Sequence, residues 1–132
     1  MTNPRPIPGW TPSTPEISGA SIHDLAQRHP ALAVHFWAPW NGHDPTMDRN
    51  IQPIRERFAG RVHFVSCNID LAANDELARR CRIRNVPTLV VLVDGDPREP
   101  IVGCRGPDTL AAAIEVRLVS SESKRWRPFG TR

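Results

Sequence analysis

The segment Ala31-Leu-Ala-Val-His-Phe-Trp-Ala38 is an apolar run broken only by His35. A strand with one wet face alternates apolar and polar residues, whereas an unbroken run requires a strand covered on both faces. Two further segments, Arg61-Val-His-Phe-Val-Ser-Cys67 and Thr88-Leu-Val-Val-Leu-Val93, read the same way. Between them lie helical patterns. Ser18 to Arg28 turns Ile22 and Leu25 inward, and Met47, Ile51, Ile54 and Phe58 share one helix face. Asn74 is placed to cap a helix running through Leu77 to Cys81. Gly106-Pro107 opens a last helix with Leu110, Ile114 and Leu118 inward. The Asp94-Gly95-Asp96-Pro97 turn predicts a hairpin into a short strand near Pro100 to Gly103. Strands alternating with helices and ending in a hairpin predict an α/β domain, a central mixed sheet flanked by helices on both faces.

Three regions follow from this reading: a proline-rich arm over residues 1-16, a folded domain over 17-119 and a basic tail over 120-132. Pro4, Pro6, Pro8, Pro12 and Pro15 fix φ and offer no amide donor, so the arm runs extended, with Ile7 and Trp10 placed to pin it. The net charge of +3 belongs to the tail, where Lys124, Arg125, Arg127 and Arg132 face Glu122 alone. The charge-balanced domain carries no nucleic-acid footprint, and contact with nucleic acid is left only to the tail. No apolar run approaches the roughly 18 residues of a membrane span. The opening residues lack a secretory apolar stretch, which predicts a cytoplasmic protein. Cys67, Cys81 and Cys104 have no disulfide-framework or zinc spacing.

Asp44 is a good N-cap and Pro45 suits the first helical position, so the Met47 to Phe58 helix is expected to start near Pro45. Pro53 lies inside it and Gly60 stops it. His43 and Asp44 are two ligands where structural zinc takes four, so neither a metal nor a cofactor is expected.

Several short motifs in this order resemble the thioredoxin family. Phe36-Trp37-Ala38-Pro39-Trp40 is similar to the strand end that leads into the family's W-C-G-P-C motif. Asn68-Ile69-Asp70 resembles the end of its next strand, Ile83 to Thr88 the segment that carries its cis-proline at Pro87, and Val102-Gly103 the glycine beside its substrate groove. The resemblance covers residues 18 to 119 and implies the thioredoxin fold. The motif itself departs from the pattern, reading Trp40-Asn41-Gly42-His43-Asp44. Thiol-disulfide exchange needs an attacking thiolate and a resolving thiol. Asn41 and Asp44 supply neither, so a redox-inactive member is expected. The family's buried carboxylate falls on His35 and its partner lysine on Ser66, read here as a neutral hydrogen-bonded pair in the interior.

What the resemblance leaves is a recognition surface made of Trp40, Val86, Pro87, Gly103 and Cys104. In the family, the residue before the cis-proline hydrogen-bonds an extended peptide, a form of β-strand addition that needs no cysteine. The expected function is therefore a binding or scaffold protein that holds a peptide or partner protein in this groove. The alternative is a single-cysteine thiol oxidoreductase using Cys104.

Overall fold

A computed structural model describes residues 4-119. The basic tail expected over 120-132 lies outside the described residues. The first helix, α1, spans Ile22–Arg28 after a 3-10 turn at Gly19–Ser21. Strand β1 (Ala31–Trp37) follows, then helix α2 (Asp44–Arg57), strand β2 (His63–Asn68) and helix α3 (Asp75–Arg80). Strand β3 (Thr88–Val93), the two-residue strands β4 (Asp96–Pro97) and β5 (Ile101–Val102), and helix α4 (Pro107–Val119) complete the order.

The sheet runs β2-β1-β3-β4, with β5 also on β3. Strands β1 and β2 are parallel, and β3 is antiparallel to β1. All seven residues of β1 are buried because the sheet is covered on both sides. On one face Ala33, Phe64, Leu89 and Val91 meet Met47, Ile51, Ile54 and Phe58 of α2 and Leu110 and Ile114 of α4. On the other, Leu32, Val34, Phe36, Val65, Cys67, Val90 and Leu92 meet Ile22, Leu77 and Cys81. Alternation along β1 sends Ala31, Ala33 and His35 to the α2 side, and this decides what His35 can reach.

The proline-rich arm runs along the β2 edge. Ser66 N–H donates to the Pro15 carbonyl at 2.8 Å, and Ile17 N–H donates to the Ser66 carbonyl at 2.8 Å. These form an isolated parallel bridge at Glu16. Trp10 meets Trp37 edge-on with ring centroids 5.6 Å apart. Of the two residues expected to pin the arm, Trp10 does so and Ile7 does not, being half exposed.

Two capping expectations are corrected. Helix α2 starts at Asp44 with His43 as its cap residue, one position earlier than expected, because the Asp44 side chain turns inward instead of capping. Asn74 precedes α3 but does not cap it with its side chain. Its amide donates to the Asn68 carbonyl and accepts from Gly19 N–H, tying the loop after β2 to the turn before α1.

Candidate functional site

The site lies at the carboxyl end of β1, where the chain leaves the sheet at Ala38 and enters α2 at Asp44. Both His35 and Asp44 are wholly buried, with side-chain exposures of 0% and 0%. His35 points to the α2 side and Asp44 occupies the first position of α2, so the two meet: His35 Nε2 donates to Asp44 Oδ1 at 2.8 Å. Ala38 N–H donates to Asp44 Oδ2 at 3.1 Å. The carboxylate thus has a partner on each oxygen and sits at the N-terminus of a 14-residue helix, where negative charge is favoured. His35 Nδ1 has no partner among the described residues.

The expected His35–Ser66 pair is overturned. The two residues are register neighbours across β1 and β2. Ser66 lies toward the arm, however, and its hydroxyl bonds the Thr14 carbonyl and Glu16 Oε1, both at 3.1 Å. A buried carboxylate is a stronger acceptor for an imidazole N–H than a hydroxyl already engaged elsewhere. The interior pair is therefore His35–Asp44, and it joins the carboxyl half of β1 to the first turn of α2.

The remaining loop residues turn toward the cis-proline segment. The Val86–Pro87 peptide is cis. Asn41 Nδ2 donates to the Val86 carbonyl at 2.7 Å, while Asn41 Oδ1 accepts from His43 N–H at 2.7 Å. The Asn41 side chain therefore closes the loop on itself and clips it to Val86. Gly103 N–H donates to the Pro87 carbonyl at 2.9 Å, which brings β5 alongside. Gly103 has φ of +92°, a left-handed conformation that glycine adopts without penalty. Cys104 lies next to it, exposed, with its sulfur 3.9 Å from Asn50 Nδ2 of α2. Trp40 is 57% exposed although its Nε1 donates to Asp70 Oδ1 at 2.9 Å. The structure thus gathers Trp40, Asn41, Val86, Pro87, Gly103 and Cys104 at one end of the sheet, and His43 lies in the same loop.

Residue-by-residue reading passes over the partners that hold this arrangement. Asp70 fixes Trp40. Glu16 accepts from Trp37 Nε1 at 2.9 Å and from Asn68 N–H at 2.7 Å. Asp48, buried in α2, accepts from Ser13 N–H at 3.1 Å. Asp70 is available in the Asn68-Ile69-Asp70 motif, but nothing local signals Glu16 or Asp48.

None of the thiols is activated. Burial pushes Cys67 up to about 12, with Glu16 adding to it, and burial pushes Cys81 up to about 11. Burial and then the Asp44 charge raise Cys104, against a smaller lowering by Arg49. A thiolate is the attacking species in exchange chemistry, and none of these settings favours one at neutral pH. Among the described residues there is no group of three His, Cys, Asp or Glu side chains able to hold a metal ion. No helix among them is long and apolar enough to cross a membrane.

A mixed sheet with helices on both faces, a strand-loop-helix turn and a facing cis-proline loop together define a thioredoxin-fold protein. The chain belongs to the thioredoxin family, whose model, described as Thioredoxin, matches residues 19–116. It is 32% identical over 107 residues to a thioredoxin of Synechocystis, covering 80% of this chain and 98% of that protein. It is 35% identical over 88 residues to the chloroplastic thioredoxin M4 of Arabidopsis thaliana, covering 67% of this chain and 45% of that longer protein. In three dimensions it resembles the oxidized form of mitochondrial thioredoxin 3 from Saccharomyces cerevisiae, with a TM-score of 0.69 at 24% identity over 79% of this chain and 95% of that one. A mutant thioredoxin from Halobacterium salinarum superposes with a TM-score of 0.68 at 25% identity, over 82% and 94% of the two chains.

Proposed function

We propose that this thioredoxin-family chain is redox-inactive and binds an extended segment of a protein partner beside Trp40 and Val86-Pro87. The observation that carries the reading is Asp44. A fully buried carboxylate, bonded to His35 and to the Ala38 amide, occupies a position where exchange chemistry needs a thiol. The elevated thiols favour the same reading, and the burial and Asp44 charge that raise Cys104 weigh against its use as a lone redox cysteine.

The mode of binding is refined by Asn41. Its amide already engages the Val86 carbonyl, so strand addition at Val86 rests on the Val86 N–H, which has no hydrogen-bond partner among the described residues. Trp40 supplies apolar area at the mouth. Exposed aromatics in such central positions carry a large share of binding energy.

The experiment has two arms. In an insulin-reduction assay the wild-type protein shows no dithiol-dependent turnover, and turnover like that of an active thioredoxin refutes inactivity. Random peptides displayed on phage are panned against the wild type and mapped by amide shifts. The expected footprint is Trp40, Val86 and Gly103. Trp40→Ala then weakens the selected peptides by roughly 2 kcal/mol or more, whereas deleting residues 121–132 has the smaller effect. Binding that survives Trp40→Ala and disappears with the tail assigns recognition to the tail.

A further inference from the structure

The arm is built in two parts. Residues 10–16 are anchored: Trp10 on Trp37, Ser13 on the buried Asp48, Thr14 buried, and Glu16 bridged to Ser66. Residues 4–8 are all exposed, and the backbone of Pro4 and Arg5 lies against the Asn41–Asp44 loop at Gly42. Gly42 is the point of contact. A Cβ added there would strike the Pro4 carbonyl group and lie 2.8 Å from the Arg5 carbonyl carbon. The loop therefore accepts the arm only because residue 42 has no side chain. Between the two parts sits Gly9, at φ of +75° with nothing within 4 Å of where its Cβ would be.

The sequence suits the outer part to a reversible contact. Pro4, Pro6 and Pro8 restrict the detached segment, which lowers the entropy lost when it settles on the loop. They also leave Arg5 and Ile7 as the only amide donors among residues 4–8, so a mostly solvated backbone has little hydrogen bonding to satisfy. Among the described residues little besides the fit against Gly42 retains it: the one hydrogen bond these give here, Trp10 N–H to the Ile7 carbonyl at 3.1 Å, is internal to the arm.

We propose that residues 4–8 are a displaceable strap over the Asn41–Asp44 loop, anchored by residues 10–16 and hinged at Gly9. The strap regulates the site described above, and this role rests on the loop being part of a partner-binding surface. A partner that engages Asn41 to His43 must lift it, while Trp40 is 57% exposed with the strap in place. Contact with the loop itself is thereby restricted to partners that outcompete the chain's own proline segment.

Nitrogen-15 relaxation and gadolinium-chelate solvent relaxation on the full chain test this without any partner. In the wild type, Arg5 and Ile7 amides are ordered, and the amides of residues 42 and 43 are shielded. In Gly42→Ala the added methyl expels the strap. Arg5 and Ile7 then fall into the flexible range, order parameters below about 0.6. Solvent relaxation at residues 42 and 43 rises severalfold, and Ser13 stays ordered. Gly106→Ala, where the added Cβ meets nothing within 4 Å, changes none of these. Because Gly42→Ala also alters the loop, a second variant replaces Pro4, Pro6 and Pro8 by alanine and is expected to shift the same amides in the same direction. Arg5 and Ile7 already flexible in the wild type, or still ordered in both variants, overturns the strap. Neither result bears on Trp40 and the groove, which stand or fall on the peptide experiment.

Discussion

The two ends of the β1–β2 pair treat histidine in opposite ways. At the carboxyl end His35 is sealed from water and faces a carboxylate that has a partner on each oxygen. At the other end His29 and His63 stack with ring centroids 4.0 Å apart and planes 10° apart. There they line a cavity of about 220 Å³ with Pro30, Gly60 and Arg61. Burial, then His29, Arg55 and Arg28, hold the His63 pKa below its ordinary value. Two of the arginines at this end are themselves paired, Arg28 with Asp24 and Arg61 with Glu115. One end matches its buried carboxylate inside the protein; the other gathers histidines and arginines around His63 with no carboxylate bonded to it among the described residues. The absence of cysteines at the first end does not leave a loose loop but a polar cluster of its own.

The sharpest way to break this contrast is Asp44→Ala. It strands the His35 N–H and the Ala38 amide in the interior, and each buried donor left unsatisfied costs about 1–3 kcal/mol. Urea unfolding reads the loss. Asp44→Asn retains an acceptor for one of the two donors and is expected to lose less. If Asp44→Ala unfolds at the wild-type midpoint, the cluster contributes nothing to stability and the contrast fails.

A smaller effect attends Asn41→Ala. One hydrogen bond to the Val86 carbonyl and one to His43 N–H are lost, at about 1 kcal/mol each where water cannot replace them. Amide exchange at His43 accelerates while the β1 core is unchanged. Equal acceleration in β1 would show that the loop and the sheet open together.

The smallest effect is expected at His63. Its folded pKa lies below the unfolded value of about 6.5. The unfolded chain therefore binds the proton more readily. Whatever stability this histidine contributes is complete above pH 6.5 and declines as pH falls from there through the folded pKa. His29→Ala removes one cause of the lowering, so the His63 ring titrates closer to its ordinary value by NMR. A titration midpoint unmoved by His29→Ala would leave burial and the arginines as the whole cause.

Most of the architecture is legible in the sequence because it depends on patterns local to each segment. Buried runs at 31–38 and 88–93, the helix face of Met47 to Phe58 and the Asp94-Gly95 turn all carry their signal within a few residues. The site is legible in its members and less so in its pairings. Ser66 matches His35 on paper because the two fall beside each other across β1 and β2. Which way Ser66 bonds, however, is decided by Glu16 and Thr14 on an arm some fifty residues away. Asp44 has the residue type of a cap because caps are read from the helix alone, whereas the strand on which His35 sits draws its carboxylate inward. Spacing reports neighbours along the chain; a buried donor and acceptor choose each other across it.

The Glu16 carboxylate has a consequence for association between molecules. Strand β2 ends the sheet order, and an unprotected end strand offers amides and carbonyls to any other extended chain. Here Ser66 spends both backbone groups on Pro15 and Ile17, and the next outward amide, Asn68, is taken by Glu16. A proline at 15 then prevents the arm from presenting a fresh continuous edge of its own. The arm thus ends the growth of the sheet, and this end of β2 is closed to stacking by a second molecule.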